Sequence, residues 1–175
     1  PDELWLPGGA EHRNPREGLM KLTVIGGGST YTPELVQGVA DRSAALGIDE
    51  LHLMDIDAER LAIVGGFAER ILRHAGWPGR LVMGGDLDAA LDGAAFCLVQ
   101  LRVGGQAARL RDETIPHRYG ILGQETTGPG GFAKALRTVP VVLEIAERYA
   151  ARRAQDGWFI DFTNPVGDRK STRLN

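Results

Sequence analysis

Three groups of side chains in this 175-residue sequence have the types and spacing to do chemistry. In the first, Gly26-Gly27-Gly28-Ser29-Thr30 follows the short apolar run Leu22-Thr23-Val24-Ile25. Glycines at such a strand-to-helix turn let the backbone approach a pyrophosphate, which the amides and positive end of the next helix then hold. Asp55 ends a second run, Leu51-His52-Leu53-Met54. A carboxylate there accepts hydrogen bonds from an adenosine ribose diol and repels a 2′-phosphate, favouring NAD over NADP. Gly26, Gly27, Gly28, Ser29, Thr30 and Asp55 thus form a candidate NAD site. The fingerprint is imperfect, since Tyr31 replaces the third glycine and Asp55 lies beyond the usual spacing of roughly 20 residues. A tight turn without a ligand is the alternative reading of the glycines, and Asp57 reads only as a helix cap.

The second group follows the fourth apolar run, Ala95-Phe96-Cys97-Leu98-Val99-Gln100. Arg102 and Arg109 offer planar donor forks to a phosphate or carboxylate of a substrate. Ion pairing with Asp112, Glu113 or Glu125 stays open as their alternative. Glu125, within Gly123-Gln124-Glu125-Thr126-Thr127-Gly128-Pro129-Gly130-Gly131, is a candidate to orient or deprotonate a catalytic group, or else caps a helix. The third group is Asn164, whose amide suits a sugar hydroxyl or a nicotinamide, with simple turn chemistry before Pro165 as the alternative. His117 reads as a surface or packing histidine. Cys97, inside an apolar strand, reads as buried and inert.

These residues are spaced by a repeating strand–helix pattern. Strands are expected at 22–25, 51–55, 80–83, 95–100 and 158–162. Helices are expected from Thr32, as N-cap with Pro33 in first position, to Leu46, with Gly47 as the stop. A second helix runs from the Asp57 cap to His74, with Leu61, Val64, Phe67, Ala68, Ile71 and Leu72 on one face. A short turn covers 86–91. A long loop precedes a last helix over 132–154, in which Pro140 marks a kink or late start. Repeated strand–helix–strand units build a doubly wound parallel sheet, an α/β Rossmann-like class, whose ligands bind at the carboxyl ends of the strands. Each informative motif begins where a strand ends.

Composition bounds the partners. Hydrophobic residues at 43% and charged residues at 25% describe an ordinary globular chain and exclude wholesale disorder. Lys+Arg 20 against Asp+Glu 23 leaves a net charge of −3, with no basic excess for nucleic acid or an anionic membrane surface. No apolar run approaches the roughly 18–20 residues of a membrane span. The lone Cys97 fits a reducing compartment, and no signal peptide precedes the first strand, so a cytoplasmic location is expected. The 24 glycines are about twice the usual share of roughly 7%. They cluster at 26–28, 65–66, 84–85, 104–105 and 128–131, which suggests backbone brought close to a ligand.

Residues 1–19 are polar, break at Pro7-Gly8-Gly9 and Asn14-Pro15, and precede Met20-Lys21. They are expected to be a disordered leader or an upstream translation artefact. The polar, basic stretch 168–175 is expected to be a non-native tail. Between them, 20–167 reads as one NAD-binding domain.

Over about residues 20–167 the sequence resembles glycoside hydrolase family 4. The likeness rests on Lys21 to Ser29 with Tyr31-Thr32-Pro33-Glu34-Leu35, Arg102-Val103-Gly104-Gly105, Arg109 with Asp112-Glu113, Gly120 to Gly131, and Asn164-Pro165. Thr32-Pro33-Glu34 and Phe162-Thr163-Asn164-Pro165 look most like the 6-phospho-β-glucosidase branch. The resemblance implies hydrolysis of 6-phospho-β-glucosides, with a phosphorylated disaccharide or aryl glycoside as substrate. Bound NAD oxidises the sugar C3, a base removes the C2 proton, the aglycone is eliminated and water adds, with Mn²⁺ or another divalent metal polarising the sugar oxygens. It further implies that Arg109 and Asn164 contact substrate, with Arg102 beside them, and that Glu125 raises the basicity of a catalytic tyrosine. That tyrosine and the metal-binding Cys and His lie beyond Asn164-Pro165 in the family. Cys97, Tyr119 and Tyr149 do not align with them, so no metal ligand is expected in this chain. The chain is then an N-terminal fragment, truncated before the substrate and metal domain, inactive alone and a homo-oligomer when complete. Two other readings stand beside it: a lactate/malate-type 2-hydroxy acid dehydrogenase fragment, and a non-catalytic NAD-binding module.

Overall fold

A computed structural model describes residues 19–154 and 156–163. The expected leader falls outside these residues except for Leu19, and the expected tail falls wholly outside them.

Five strands form one parallel sheet: β1 (Lys21–Ile25), β2 (Glu50–Met54), β3 (Arg80–Gly84), β4 (Phe96–Val99) and β5 (Trp158–Asp161). Their spatial order is β3-β2-β1-β4-β5, so the chain starts in the middle, winds outward to β3, then returns to β1's other side. Register is regular, with Val24 opposite Leu53 on one side and Leu98 on the other. The switch in winding direction falls between β1 and β4, where the two following connections diverge and leave a crevice.

Alternation along β1 divides the core. Leu22 and Val24 pack with Leu51, Leu53, Val36 and Leu61 under α1 (Thr32–Asp41) and α3 (Ala58–His74). Ile25, Met54, Cys97 and Val99 pack with Leu91, Val142, Ile145 and Tyr149. These last come from two helices on the opposite face, α4 (Leu87–Leu91) and α6 (Gly128–Arg152), which makes the sheet doubly wound. Cys97 is fully buried, and burial pushes its thiol up to about 12.

The first helical region differs in detail from expectation. Thr32 is the first residue of α1 rather than its cap; Tyr31 holds the cap position and makes no side-chain capping bond. The helix also breaks at Arg42 into α1 and a short α2 (Ser43–Leu46), which Gly47 ends in the left-handed region at φ 60°. Asp57 caps α3 by accepting from the Arg60 N–H at 3.0 Å. Phe67, expected on the buried face of α3, is exposed, and Gly65 takes the inner position against Met83. Gly65 thus serves helix–strand packing rather than a ligand.

The larger correction lies between β4 and β5. The expected loop is α5 (Gly105–Thr114) followed by a 3₁₀ segment (Ile115–Tyr119), and α6 starts at Gly128, four residues before the expected start. α5 buries only Ala108 and Asp112, so it carries no apolar stripe to reveal it. Pro129 stands in the first turn of α6, where its missing N–H costs nothing, and Pro140 is accommodated inside the helix.

Candidate functional site

The glycine turn closes on the neighbouring strands. Gly26 and Gly27 N–H groups both donate to Met54 O, at 2.9 and 2.8 Å. Gly26 has φ +89°, and a Cβ on it would stand 2.7 Å from Gln100 O. The Gly28 N–H donates to Asp55 Oδ2 at 2.8 Å, and the Asp57 N–H donates to Asp55 Oδ1 at 2.9 Å. All three glycines therefore have packing reasons to be glycine. Ser29 and Thr30 complete the turn ahead of α1, and the Thr30 N–H has no partner among the described residues.

The other cluster is built by α5 and the first turns of α6. A Cβ on Gly130 would lie 2.7 Å from Asp112 O, and one on Gly131 2.7 Å from the Thr126 carbonyl carbon. Only glycines let α6 start this close to segments 112 and 124–126. One turn later Lys134, itself buried, reaches Glu125 Oε1 at 2.9 Å. Arg102 Nη1 pairs with the same oxygen, and Arg109 Nε lies 3.1 Å from Glu125 Oε2 and 2.7 Å from Glu113 Oε1. Beside them Arg137 forks onto Asp112 at 3.2 and 2.6 Å and donates to Val103 O at 3.0 Å. The side chains of the cluster close on one another without a cavity between them.

Electrostatics follow from this geometry. Burial alone would raise the Glu125 carboxyl, but the hydrogen bonds from Lys134 and Arg102 outweigh it and hold the group below the usual carboxylate value. Glu125 is therefore an anion at neutral pH, suited to accept and orient a proton-bearing group rather than to donate a proton. The terminal nitrogens of Arg109 have no partner among the described residues, because its pairs use Nε. Of the two alternatives raised for the arginines, the ion pairs are made, with Glu125 for both and with Glu113 for Arg109.

The two clusters meet across one cleft of about 840 Å³ at the carboxyl edge of the sheet, within the usual range for ligand sites. Gly26, Ser29, Thr30 and Asp55 line one side, and Arg102, Arg109 and Glu125 line the other. Asn164 lies outside the described residues; Thr163, just before it, lines the cleft. His117 is exposed on the 3₁₀ segment. Lys134 and Arg137 escaped the sequence reading, and Asp112, named there as a possible partner of Arg102 or Arg109, pairs with Arg137 instead. A lysine on a helix reads as solvent-facing, and only the close glycine approach buries this one. Among the described residues no group of three or more His, Cys, Asp or Glu side chains comes together to hold a metal ion, and no helix is long and apolar enough to cross a membrane.

The model of the family described as Family 4 glycosyl hydrolase matches residues 21–173. The chain belongs to glycosyl hydrolase family 4. Among curated relatives in this family, the "Probable 6-phospho-beta-glucosidase" of Bacillus subtilis is 47% identical over 150 residues, covering 85% of this chain and 34% of the relative. The solved 6-phospho-beta glucosidase of Thermotoga maritima, with manganese, NAD+ and glucose-6-phosphate, matches with a TM-score of 0.78 at 40% identity, over 85% of this chain and 35% of that one. The chain thus spans about a third of the length of the family 4 proteins it matches. A malate dehydrogenase from Salinibacter ruber matches with a TM-score of 0.55 at 17% identity, which shows a shared fold alone. The dehydrogenase reading of the sequence gives way to the family 4 match.

Proposed function

We propose that this chain is the dinucleotide-holding part of an NAD-dependent 6-phospho-β-glucosidase, acting on phosphorylated disaccharides or aryl glycosides. The observation that carries the reading is a cleft with Gly26, Ser29, Thr30 and Asp55 on one side and Arg102, Arg109 and Glu125 on the other. The relatives' printed activities supply the substrate class.

The residues fit NAD. The unpartnered Thr30 amide at the head of the ten-residue α1 suits a pyrophosphate oxygen. Asp55 keeps lone pairs beyond the two bonds it accepts from backbone, enough for a ribose diol. When bound, NAD supplies reversible hydride acceptance at the sugar C3, which acidifies the C2 proton and opens the way to elimination of the aglycone. Arg109 and Arg102 present their remaining donors to the substrate phosphate, with Asn164 as a further contact. Glu125 stays ionised and orients the proton-bearing group that faces it. The described residues do not form a site for Mn²⁺, so no step is assigned to a metal on this chain. The lone buried thiol suits the reducing cytoplasm.

The test is turnover of p-nitrophenyl β-glucoside 6-phosphate by the full-length protein that contains this chain. Activity should require added NAD⁺ and Mn²⁺, and the C2 proton should exchange with solvent. Turnover that survives exhaustive removal of NAD⁺ would overturn the reading.

A further inference from the structure

Gln100 stands one residue past β4, at the point where the sheet changes winding direction. Its backbone N–H donates to Ile25 O at 2.9 Å. Its side-chain Nε2 donates to Thr32 Oγ1 at 2.7 Å and to Gly26 O at 3.3 Å. A carbonyl oxygen only accepts, so Gly26 O fixes which end of the amide faces the turn. The other end, Oε1, has no partner among the described residues, and Gln100 lines the cleft. Thr32 is fully buried as the first residue of α1, so its hydroxyl is a rigid anchor. One side chain therefore ties the end of β4 to the glycine turn and to the start of the helix that follows it. The tie has little slack on the backbone side, because Gln100 O is also the atom that a Cβ on Gly26 would strike.

From this arrangement we infer that Gln100 is a positioning residue for the dinucleotide, holding the glycine turn and the head of α1 in the geometry that receives the pyrophosphate. The inference rests on the reading of the cleft as an NAD site. Gln100 acts through Thr32: the hydroxyl accepts the bond that keeps the amide, and with it the turn, in place. Arg102 follows two residues later, so the same strap sets where the substrate side of the cleft begins.

The experiment is NAD⁺ titration by calorimetry on the full-length protein and its variants Thr32→Val, Thr32→Ser, Gln100→Met and the double variant Thr32→Val/Gln100→Met. Losing one such bond should raise the NAD⁺ Kd by about three- to ten-fold. Thr32→Val and Gln100→Met should each show that rise. The double variant should be no worse than Gln100→Met alone, because that substitution already removes the bond to Thr32. Thr32→Ser keeps the hydroxyl and should bind as the unsubstituted protein does. A purely structural role would lower the melting temperature and the binding amplitude while the Kd of the folded fraction stayed unchanged, and that result overturns the inference. So do losses that multiply in the double variant, or a Thr32→Ser protein as weak as Thr32→Val. Unsubstituted protein that binds no NAD⁺ overturns the cofactor reading itself, whereas normal binding with unaffected variants overturns only the role of Gln100.

Discussion

The Gly28 N–H donates to Asp55 Oδ2 at 2.8 Å, joining the turn after the first strand to the end of the second. The other carboxylate oxygen takes the Asp57 N–H and so reaches the head of α3. An acid read from the sequence as a ribose contact is thus also a staple in the wall of the cleft. Its two roles are compatible, because each carboxylate oxygen has a second lone pair to offer.

Both roles enter the effect of Asp55→Ala. The substitution leaves the N–H of buried Gly28 unpaired and removes the ribose acceptor. Hydrogen bonds to a charged group contribute about 1.5–3 kcal/mol each, so NAD⁺ affinity should fall by roughly ten- to a hundred-fold. NADP⁺ binding should fall less, since the carboxylate repels its 2′-phosphate and that repulsion is relieved. Parallel titrations of the two nucleotides check this; equal losses would leave Asp55 with the turn-holding role alone.

Cys97 gives a sharper test of the core. It is the only cysteine of the chain, it is fully buried, and burial raises its thiol to about 12. Only the thiolate reacts, so Cys97 should stay unlabelled by a thiol reagent at pH 8 in the folded protein and become labelled after denaturation, as read by peptide mass mapping. Prompt labelling of Cys97 in the native protein would contradict the packing of β4 against α6.

The parts of the fold that were legible in the sequence are those where local pattern and tertiary role agree. Leu22-Thr23-Val24-Ile25 and Leu51-His52-Leu53-Met54 are short apolar runs with polar ends, and both became strands buried on two faces. Asp57 caps where its type and place said it would. α5 was illegible because its sequence, Gly-Gln-Ala-Ala-Arg-Leu-Arg-Asp-Glu-Thr, buries a small residue and an ion-paired acid instead of an apolar stripe. The start of α6 was hidden by Gly128, Pro129, Gly130 and Gly131, which locally signal a loop. Their meaning is tertiary: two of them are required by the backbone at 112 and 126, which no local window contains. In the charged cluster, Arg102, Arg109 and Glu125 could be singled out, but not Lys134, which lies on the other side of that glycine approach.

Gly130→Ala probes that approach directly. Its Cβ would press on the carbonyl oxygens of Gln124 and Asp112, both backbone atoms that cannot turn aside. Overpacking of this kind costs about 1–3 kcal/mol. Urea unfolding should show the loss, and Glu125 should lose part of its protection from protonation as Lys134 is displaced.

Glu125 carries a stability that depends on pH with a definite sign. In the folded protein its carboxyl titrates below the ordinary 4.5, since Lys134 and Arg102 outweigh the effect of burial. In the unfolded chain it returns to the ordinary value. Above about pH 4.5 both states are ionised and the ion pairs contribute in full. As pH falls below that value the unfolded chain takes up the proton first, and the contribution drains away until the folded carboxyl is protonated too. Glu125→Gln should therefore cost on the order of 2 kcal/mol at pH 7, leaving Lys134 buried against a neutral amide. The gap between the two proteins, read from urea midpoints, should narrow steadily from pH 5 to pH 3. A gap of the same size across that window would show that the three cations do not hold this carboxylate in its charged form.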